Sequence, residues 1–286
     1  MHGIGPPLVT PFTEDGDVDY PALHDLVDWV EDRGVDFLVP CGSNSEAELL
    51  TAAERERVVE TVVDAASVPV LAGTGHPGLR ETLAATDAAA EAGADAALVV
   101  TPFYYDHDQS TLAAYYREVA DSADLPVYLY SVPTYTGVRL DPETVADLAT
   151  HPNIAGMKDS SGDLAAFIKT ERRTAEADFD LLVGSGSLLA QALDAGASGG
   201  VLALANLYPG ACSEIAAADP ERARATNAGL VGVNTAITAT YGIPGLKWAM
   251  RQRGAPAGYP RSPHQRPDEE ATDHLEALLA EVDAVV

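Results

Sequence analysis

The chain of 286 residues carries 44 aspartates and glutamates against 17 lysines and arginines, for a formal net charge of −27. That charge excludes nucleic-acid binding, because the phosphate backbone would be repelled. No apolar run approaches the ~18 residues of a membrane span, and no basic start leads into an apolar stretch, so a cytoplasmic protein without membrane contact is expected.

Short apolar runs alternate along the chain with longer amphipathic ones. The first expected strand is Pro7–Val9. Tyr20–Arg33 then places Leu23, Leu26, Val27 and Val30 at helical spacing and stops at Gly34. Strand Phe37–Pro40 precedes Thr51-Ala-Ala-Glu54, a capping box that starts the next helix. Val70–Gly73 is followed by a helix over Leu79–Ala92 ending at Gly93, and Ala97–Val100 and Val127–Tyr130 are the next strands. Asp141-Pro142 reads as a cap with proline at the first helical position. Ile154–Lys158, Leu181–Gly184 and Gly200–Leu204 complete the strands, with a helix over Leu188–Ala195 between the last two. Each strand is short and mostly apolar, as one covered on both faces should be.

Eight such units in residues 1–219 predict an α/β fold of the (β/α)8 TIM-barrel type, which needs ~200–250 residues; a doubly wound open sheet is the alternative. Residues 220–286 contain no convincing strand. Arg222–Ile237, Leu246–Arg251 and Glu269–Val286 read as a small C-terminal helical region, and Arg253–Pro267, with four prolines and two glycines, as an ordered loop.

The chain has only three lysines, Lys158, Lys169 and Lys247. An isolated lysine is usually a surface charge. Lys158, however, follows Ile-Ala-Gly-Met at the carboxyl end of an expected strand, where active sites of parallel barrels lie. A desolvated lysine loses its proton more readily and can attack a carbonyl. The other strand ends bring Cys41-Gly-Ser-Asn-Ser-Glu46, Thr101-Pro-Phe-Tyr-Tyr105, Tyr130-Ser-Val-Pro-Thr-Tyr-Thr-Gly137 and Gly184-Ser-Gly-Ser187. An amine, phenols, hydroxyls and glycine-rich backbone suit Schiff-base chemistry on a keto acid. The tyrosines alone would more often be packing residues.

Two decoys are set aside. Gly73-Thr-Gly-His-Pro-Gly78 fits a dinucleotide fingerprint, but Pro77 interrupts it and no acidic residue ends the next strand, so no nucleotide cofactor is expected. The seven histidines show no metal-ligand spacing, so no metal is expected. Cys41 and Cys212 are too few and too isolated for a disulfide framework.

Gly3-Ile-Gly-Pro-Pro-Leu-Val-Thr-Pro-Phe12, the Gly42–Glu46 turn, Val100-Thr-Pro-Phe-Tyr104, Leu129-Tyr-Ser-Val-Pro133 and Gly156-Met-Lys158 together resemble the dihydrodipicolinate synthase / N-acetylneuraminate lyase family. These are pyruvate-dependent class I aldolases and lyases on a (β/α)8 barrel, and the resemblance is collinear over nearly the whole chain. It implies that Lys158 is the Schiff-base lysine and Tyr130 the proton relay. It implies that Ser43 and Asn44 hold the keto-acid carboxylate and that Gly184 and Leu202 line the pocket; for a sugar-acid substrate, Ser131 and Thr134 are expected to contact the sugar hydroxyls. Tyr104 matches a tyrosine exchanged between subunits, and a homotetramer, a dimer of dimers, is implied with it.

Two departures bear on the substrate. Ser43-Asn44-Ser45 replaces the usual Thr-Thr-Gly, and Tyr135 lies where the synthases place an arginine for the aldehyde's carboxylate. Gly258-Tyr-Pro-Arg-Ser-Pro263 resembles archaeal 2-keto-3-deoxygluconate aldolases. The expected reaction is therefore reversible cleavage of 2-keto-3-deoxygluconate, or a related sugar acid, to pyruvate and an aldehyde. A keto-sugar-acid dehydratase, a 4-hydroxy-tetrahydrodipicolinate synthase and a non-catalytic keto-acid-binding barrel are the alternatives.

Overall fold

A computed structural model describes residues 1–284. Its centre is a curled, all-parallel sheet of seven strands: β1 (Gly3–Gly5), β2 (Leu71–Gly73), β3 (Ala96–Val100), β4 (Val127–Ser131), β5 (Ile154–Asp159), β6 (Asp180–Val183) and β7 (Gly199–Val201). The spatial order β1-β7-β6-β5-β4-β3-β2 is sequential once it passes β1, with no switch point of the kind a doubly wound sheet requires.

The expected strand Phe37–Pro40 is reduced to isolated parallel bridges, Pro7 to Val39 and Leu38 to Val70. Leu8 N donates to Val39 O (3.0 Å) and Leu71 N to Leu38 O (2.9 Å), so this segment joins the two edges of the sheet. Proline explains the thinness of the ladder. Pro6, Pro7, Pro40 and Pro69 all lack an N–H donor here. The same prolines displace the first strand from the expected Pro7–Val9 to Gly3–Gly5. The last strand ends at Val201, not Leu204, because Ala203–Asn206 winds into a 3-10 turn.

The helices are α1 (Tyr20–Glu31), α2 (Ala52–Ala65), α3 (Leu79–Ala92), α4 (Gln109–Ser122), α5 (Pro133–Thr136), α6 (Pro142–Leu148), α7 (Leu164–Thr174), α8 (Leu189–Asp194), α9 (Pro209–Ala217), α10 (Pro220–Thr235), α11 (Gly242–Gln252) and α12 (Glu269–Asp283). Part of the acidic surplus is spent on their starts. Asp19, Asp108, Asp163, Asp219 and Asp268 each accept a backbone N–H from the first turn. Such a cap stabilises by about 1 kcal/mol, and its negative charge suits the helix N-terminus. The Thr51–Glu54 capping box is present, whereas Asp141 makes no side-chain cap bond. Val285 and Val286, which the expected last helix includes, lie outside the described residues.

Strand alternation sorts the core into two clusters. Phe37, Val39, Leu98, Tyr128, Tyr130 and Val201 point into the sheet's concave interior. Val99, Leu129, Met157, Leu181 and Leu202 point out and pack with the helices. Gly156 is required between them, because a Cβ there would lie 2.4 Å from the Tyr128 ring. The C-terminal helices are bonded into this body. Asn227 of α10 donates to Gly186 O (2.7 Å) and accepts from Ala190 N (2.9 Å).

Arg261, in the loop before α12, forks onto Glu54, its Nη1 2.9 Å from Glu54 Oε2. Hydrogen bonding to Arg261, and then to the Thr51 backbone and hydroxyl, holds the Glu54 carboxyl at about 2 rather than 4.5, against the effect of burial. A depressed folded value stabilises the fold above the unfolded pKa, and that contribution is lost as pH falls through the folded one. Urea unfolding at stepped pH is expected to show declining stability from about 4.5 toward 2. Arg261→Gln should flatten that decline, and an unchanged slope in the variant would refute the assignment.

Candidate active site

The site lies at the carboxyl ends of β4 and β5. Tyr130 and Lys158 are register partners on these neighbouring strands, and both side chains point inward. Lys158 Nζ lies 4.2 Å from the centre of the Tyr130 ring. The two residues are only 3% and 4% exposed, yet both line a cavity of about 310 Å³. Among the described residues no carboxylate pairs with Lys158. The carboxylate next to it in sequence, Asp159, faces the other side of the strand, where Oδ1 accepts Ser161 N (2.7 Å). Burial raises the Asp159 carboxyl above its usual range.

A turn over Ser43–Ser45 forms the opposite wall. Ser43 Oγ lies 3.3 Å from the Tyr130 hydroxyl, and Asn44 also lines the cavity. Ser45 is turned inward instead. Its Oγ accepts Gly42 N (3.1 Å) and donates to Leu8 O. Ser45 therefore pins the turn from inside. Cys41 and Glu46 flank it with left-handed backbones, φ 56° and 55°, a conformation that is disfavoured for residues with side chains.

Of the other expected residues, Thr134 and Gly184 line the same cavity. A Cβ on Gly184 would overlap Ser160 Oγ at 1.9 Å, so glycine is required for the close approach of these two loops. Two expected residues lie away from the cavity, and Tyr104, expected to act from a neighbouring subunit, lies outside it as well. Ser131 follows Tyr130 and so faces away from the cavity. It is fully buried, and its Oγ accepts Leu140 N at 3.3 Å. Leu202 is likewise on the outer face, and its neighbours Val201 and Ala203 line the cavity in its place. Tyr104 lies outside the cavity, 86% exposed, with φ 81° and its ring edge-on to Tyr105.

Other contributors come from beyond the strands. Asn234, Ile237, Thr238 and Ile243 enter the cavity from the end of α10, a π-helical turn over Ala236–Thr240, and the start of α11. Such π segments often sit at functional sites. The only sequence signal is the Thr- and Gly-containing break between two helical runs. A second cavity of about 300 Å³ adjoins the first and shares Ser43, Tyr130, Val132, Tyr135 and Ile243 with it. Leu49, Leu98, Val100 and Phe103 make its walls largely apolar, and neither cavity is lined by any arginine or by any lysine other than Lys158.

Comparison with known proteins follows this geometry. A family model described as the dihydrodipicolinate synthetase family matches residues 1–282. The 4-hydroxy-tetrahydrodipicolinate synthase of Haloarcula marismortui is 40% identical over 98% of this chain and 93% of its own length. The crystal structure of a chloride-inhibited dihydrodipicolinate synthase from Acinetobacter baumannii, complexed with pyruvate, superposes with a TM-score of 0.95 at 31% identity, covering 99% of each chain. A prophage protein of the dihydrodipicolinic acid synthase family from E. coli, also in complex with pyruvate, gives 0.94 at 32% identity, again over 99% of each chain.

The outward orientation of Ser131 has a simple consequence. Ser131→Ala is expected to leave kcat/KM within about twofold, while stability falls by about 1–2 kcal/mol because Leu140 N–H loses its buried partner. Steady-state kinetics beside urea unfolding checks both; a large kinetic loss at unchanged stability would place the hydroxyl in the site after all.

Proposed function

The chain belongs to the dihydrodipicolinate synthetase family of carbon–carbon lyases, pyruvate-dependent enzymes of class I aldolase type, and we propose that Lys158 is its imine-forming amine. The observation that carries this reading is the placement of Lys158: buried, without a carboxylate partner, against the Tyr130 ring and open to a cavity of about 310 Å³. Neutral Lys158 adds to C2 of pyruvate, and loss of water gives an iminium. The iminium draws electrons from C3, which releases a proton and becomes an enamine. Its C3 then attacks the carbonyl carbon of an aldehyde, forming the new carbon–carbon bond, and the carbonyl oxygen takes up a proton. Water finally cleaves the imine and frees the amine. Tyr130 moves the proton at the aldehyde oxygen, with Ser43 within hydrogen-bond reach of its hydroxyl. Ser43 and Asn44 receive the keto-acid carboxylate, and Thr134 and Gly184 shape the wall beside the aldehyde.

For the aldehyde, the relatives' name favours synthesis of 4-hydroxy-tetrahydrodipicolinate, a reaction whose aldehyde carries a carboxylate. Cleavage of 2-keto-3-deoxygluconate thereby becomes the second reading. One observation keeps it: the cavities present Tyr135 and no arginine to an incoming carboxylate. We further read the bridged segment over residues 37–40 as the remnant of an eighth barrel strand, residues 1–219 as the catalytic barrel, and the exposed Tyr104–Tyr105 pair as a surface covered by another subunit of a homotetramer. One solved relative is described as a monomeric variant.

Borohydride reduction in the presence of pyruvate is expected to leave a stable adduct on Lys158, located by peptide mass mapping. The absence of that adduct would falsify the reading. For the aldehyde, Tyr135→Arg is expected to raise kcat/KM with a carboxylate-bearing semialdehyde by about tenfold, since a charge-assisted hydrogen bond contributes roughly 1.5–3 kcal/mol. The same variant should leave cleavage of the uncharged end of a sugar acid unimproved. Parallel gains with both substrates would show that Tyr135 does not meet the carboxylate.

A further inference from the structure

Glu46 ends the Ser43–Ser45 turn, and its side chain is fully buried. Its Oε2 accepts a hydrogen bond from Lys247 Nζ on α11. Its Oε1 accepts Arg261 N and His264 Nδ1, each at 2.9 Å. Lys247 is equally buried and spends its remaining ammonium protons on Thr10 O (2.7 Å) and Tyr259 O (2.8 Å). Arg261 adds Nε to Gly16 O (2.9 Å) and Nη1 to Leu49 O (2.8 Å). The segment over residues 253–267 is therefore a strap. It contributes His264 to the lining of the cavity of about 300 Å³ and is bonded to the backbone on either side of the turn, with Lys247 and Glu46 at the centre.

A buried ion pair is weak support for a purely stabilising role, because apolar residues of similar volume often serve stability as well. What apolar residues cannot do is fix the orientation of a backbone that is strained. Glu46 holds a left-handed backbone three residues after Ser43, whose hydroxyl sits 3.3 Å from that of Tyr130. We propose that Lys247 is a positioning residue for keto-acid binding. Through Glu46 it holds the Ser43–Asn44 turn at the reach from Tyr130 and Lys158 that the keto acid needs, and so makes the C-terminal strap part of the site. The proposal rests on the reading that Ser43 and Asn44 meet the substrate's carboxylate.

The test compares the full chain with Lys247→Met and His264→Ala, each in its native assembly. Lys247→Met is expected to speed amide hydrogen exchange at residues 43–46 by about tenfold while Tyr130 and Lys158 amides keep their protection. The pyruvate concentration that half-saturates borohydride trapping should rise by about tenfold, with the yield of Lys158 adduct at saturation unchanged. His264→Ala removes one Oε1 partner and should move both readouts the same way by less. A variant that loses thermal stability while exchange in the turn and half-saturation stay at wild-type values would reduce the strap to structural glue and overturn the proposal. If Lys247→Met does not fold, His264→Ala decides by the same two readouts, and no change there overturns it. If wild-type protein forms no adduct, the Schiff-base reading falls by itself, and the exchange rates alone decide whether Lys247 holds the turn.

Discussion

The buried contact between Lys247 and Glu46 ties together parts of the chain that share no secondary structure: the first loop, the Ser43–Ser45 turn, α11 and the strap over residues 253–267. Removing two charges from water costs several kcal/mol per ion, and the pair is tolerable only when further hydrogen bonds satisfy it. Here they do, since the ammonium has three acceptors and both oxygens of the carboxylate are engaged. Burial still pulls Lys247 down to about 8, with Glu46 acting in the opposite direction. The wall of the cavity that carries Ser43 and Asn44 therefore depends on a contact made by a helix that begins 199 positions later, at Gly242.

Two of the three lysines are buried, and the contrast between them separates a structural amine from the one proposed to react. Lys247 is saturated by acceptors and closed off from either cavity. Lys158 faces a phenol ring and open space. Burial alone would have described both. The partners decide, because an ammonium saturated by acceptors has no lone pair to offer a carbonyl. Carboxylates near Lys158 in sequence or space are directed elsewhere: Asp108 and Asp163 cap helix starts, Asp147 and Asp163 pair with Arg117 and Arg139, and Asp159 is turned to the outside of its strand.

Much of this arrangement could be read from the sequence. The strand ends that carry Tyr130 and Lys158, the Thr51–Glu54 cap and the stop at Gly93 all follow from local pattern. The outward orientation of Ser131 and Leu202 is legible too. A strand alternates faces, so when Tyr130 and Val201 point in, the next residues point out. The displacement of the first strand was written in Pro6-Pro7, which removes consecutive donors. The π turn and the Lys247–Glu46 contact were not legible in this way. One is a shift of helical register that composition does not encode, and the other joins residues 201 positions apart.

Catalysis and specificity consequently have different origins in this chain. The amine and phenol of the proposed reaction come from adjacent strands in fixed register, where sheet geometry leaves little freedom. In the proposed reaction the aldehyde would lie against Thr134 and Gly184, with the α5 segment carrying Tyr135, the π turn with Thr238, and Ile243 at the start of α11 around them. The π turn and the start of α11 reach the cavity from outside the sheet and take no part in its ladder, so the wall they form can change without disturbing the register of Tyr130 and Lys158. The strand ends therefore bear on the chemistry proposed at Lys158, and the surrounding segments on the choice of aldehyde. Tyr135, shared by both cavities, lies at the boundary between the two. On the proposed reading the residue there faces the incoming substrate while leaving the Lys158–Tyr130 pair as the strands set it.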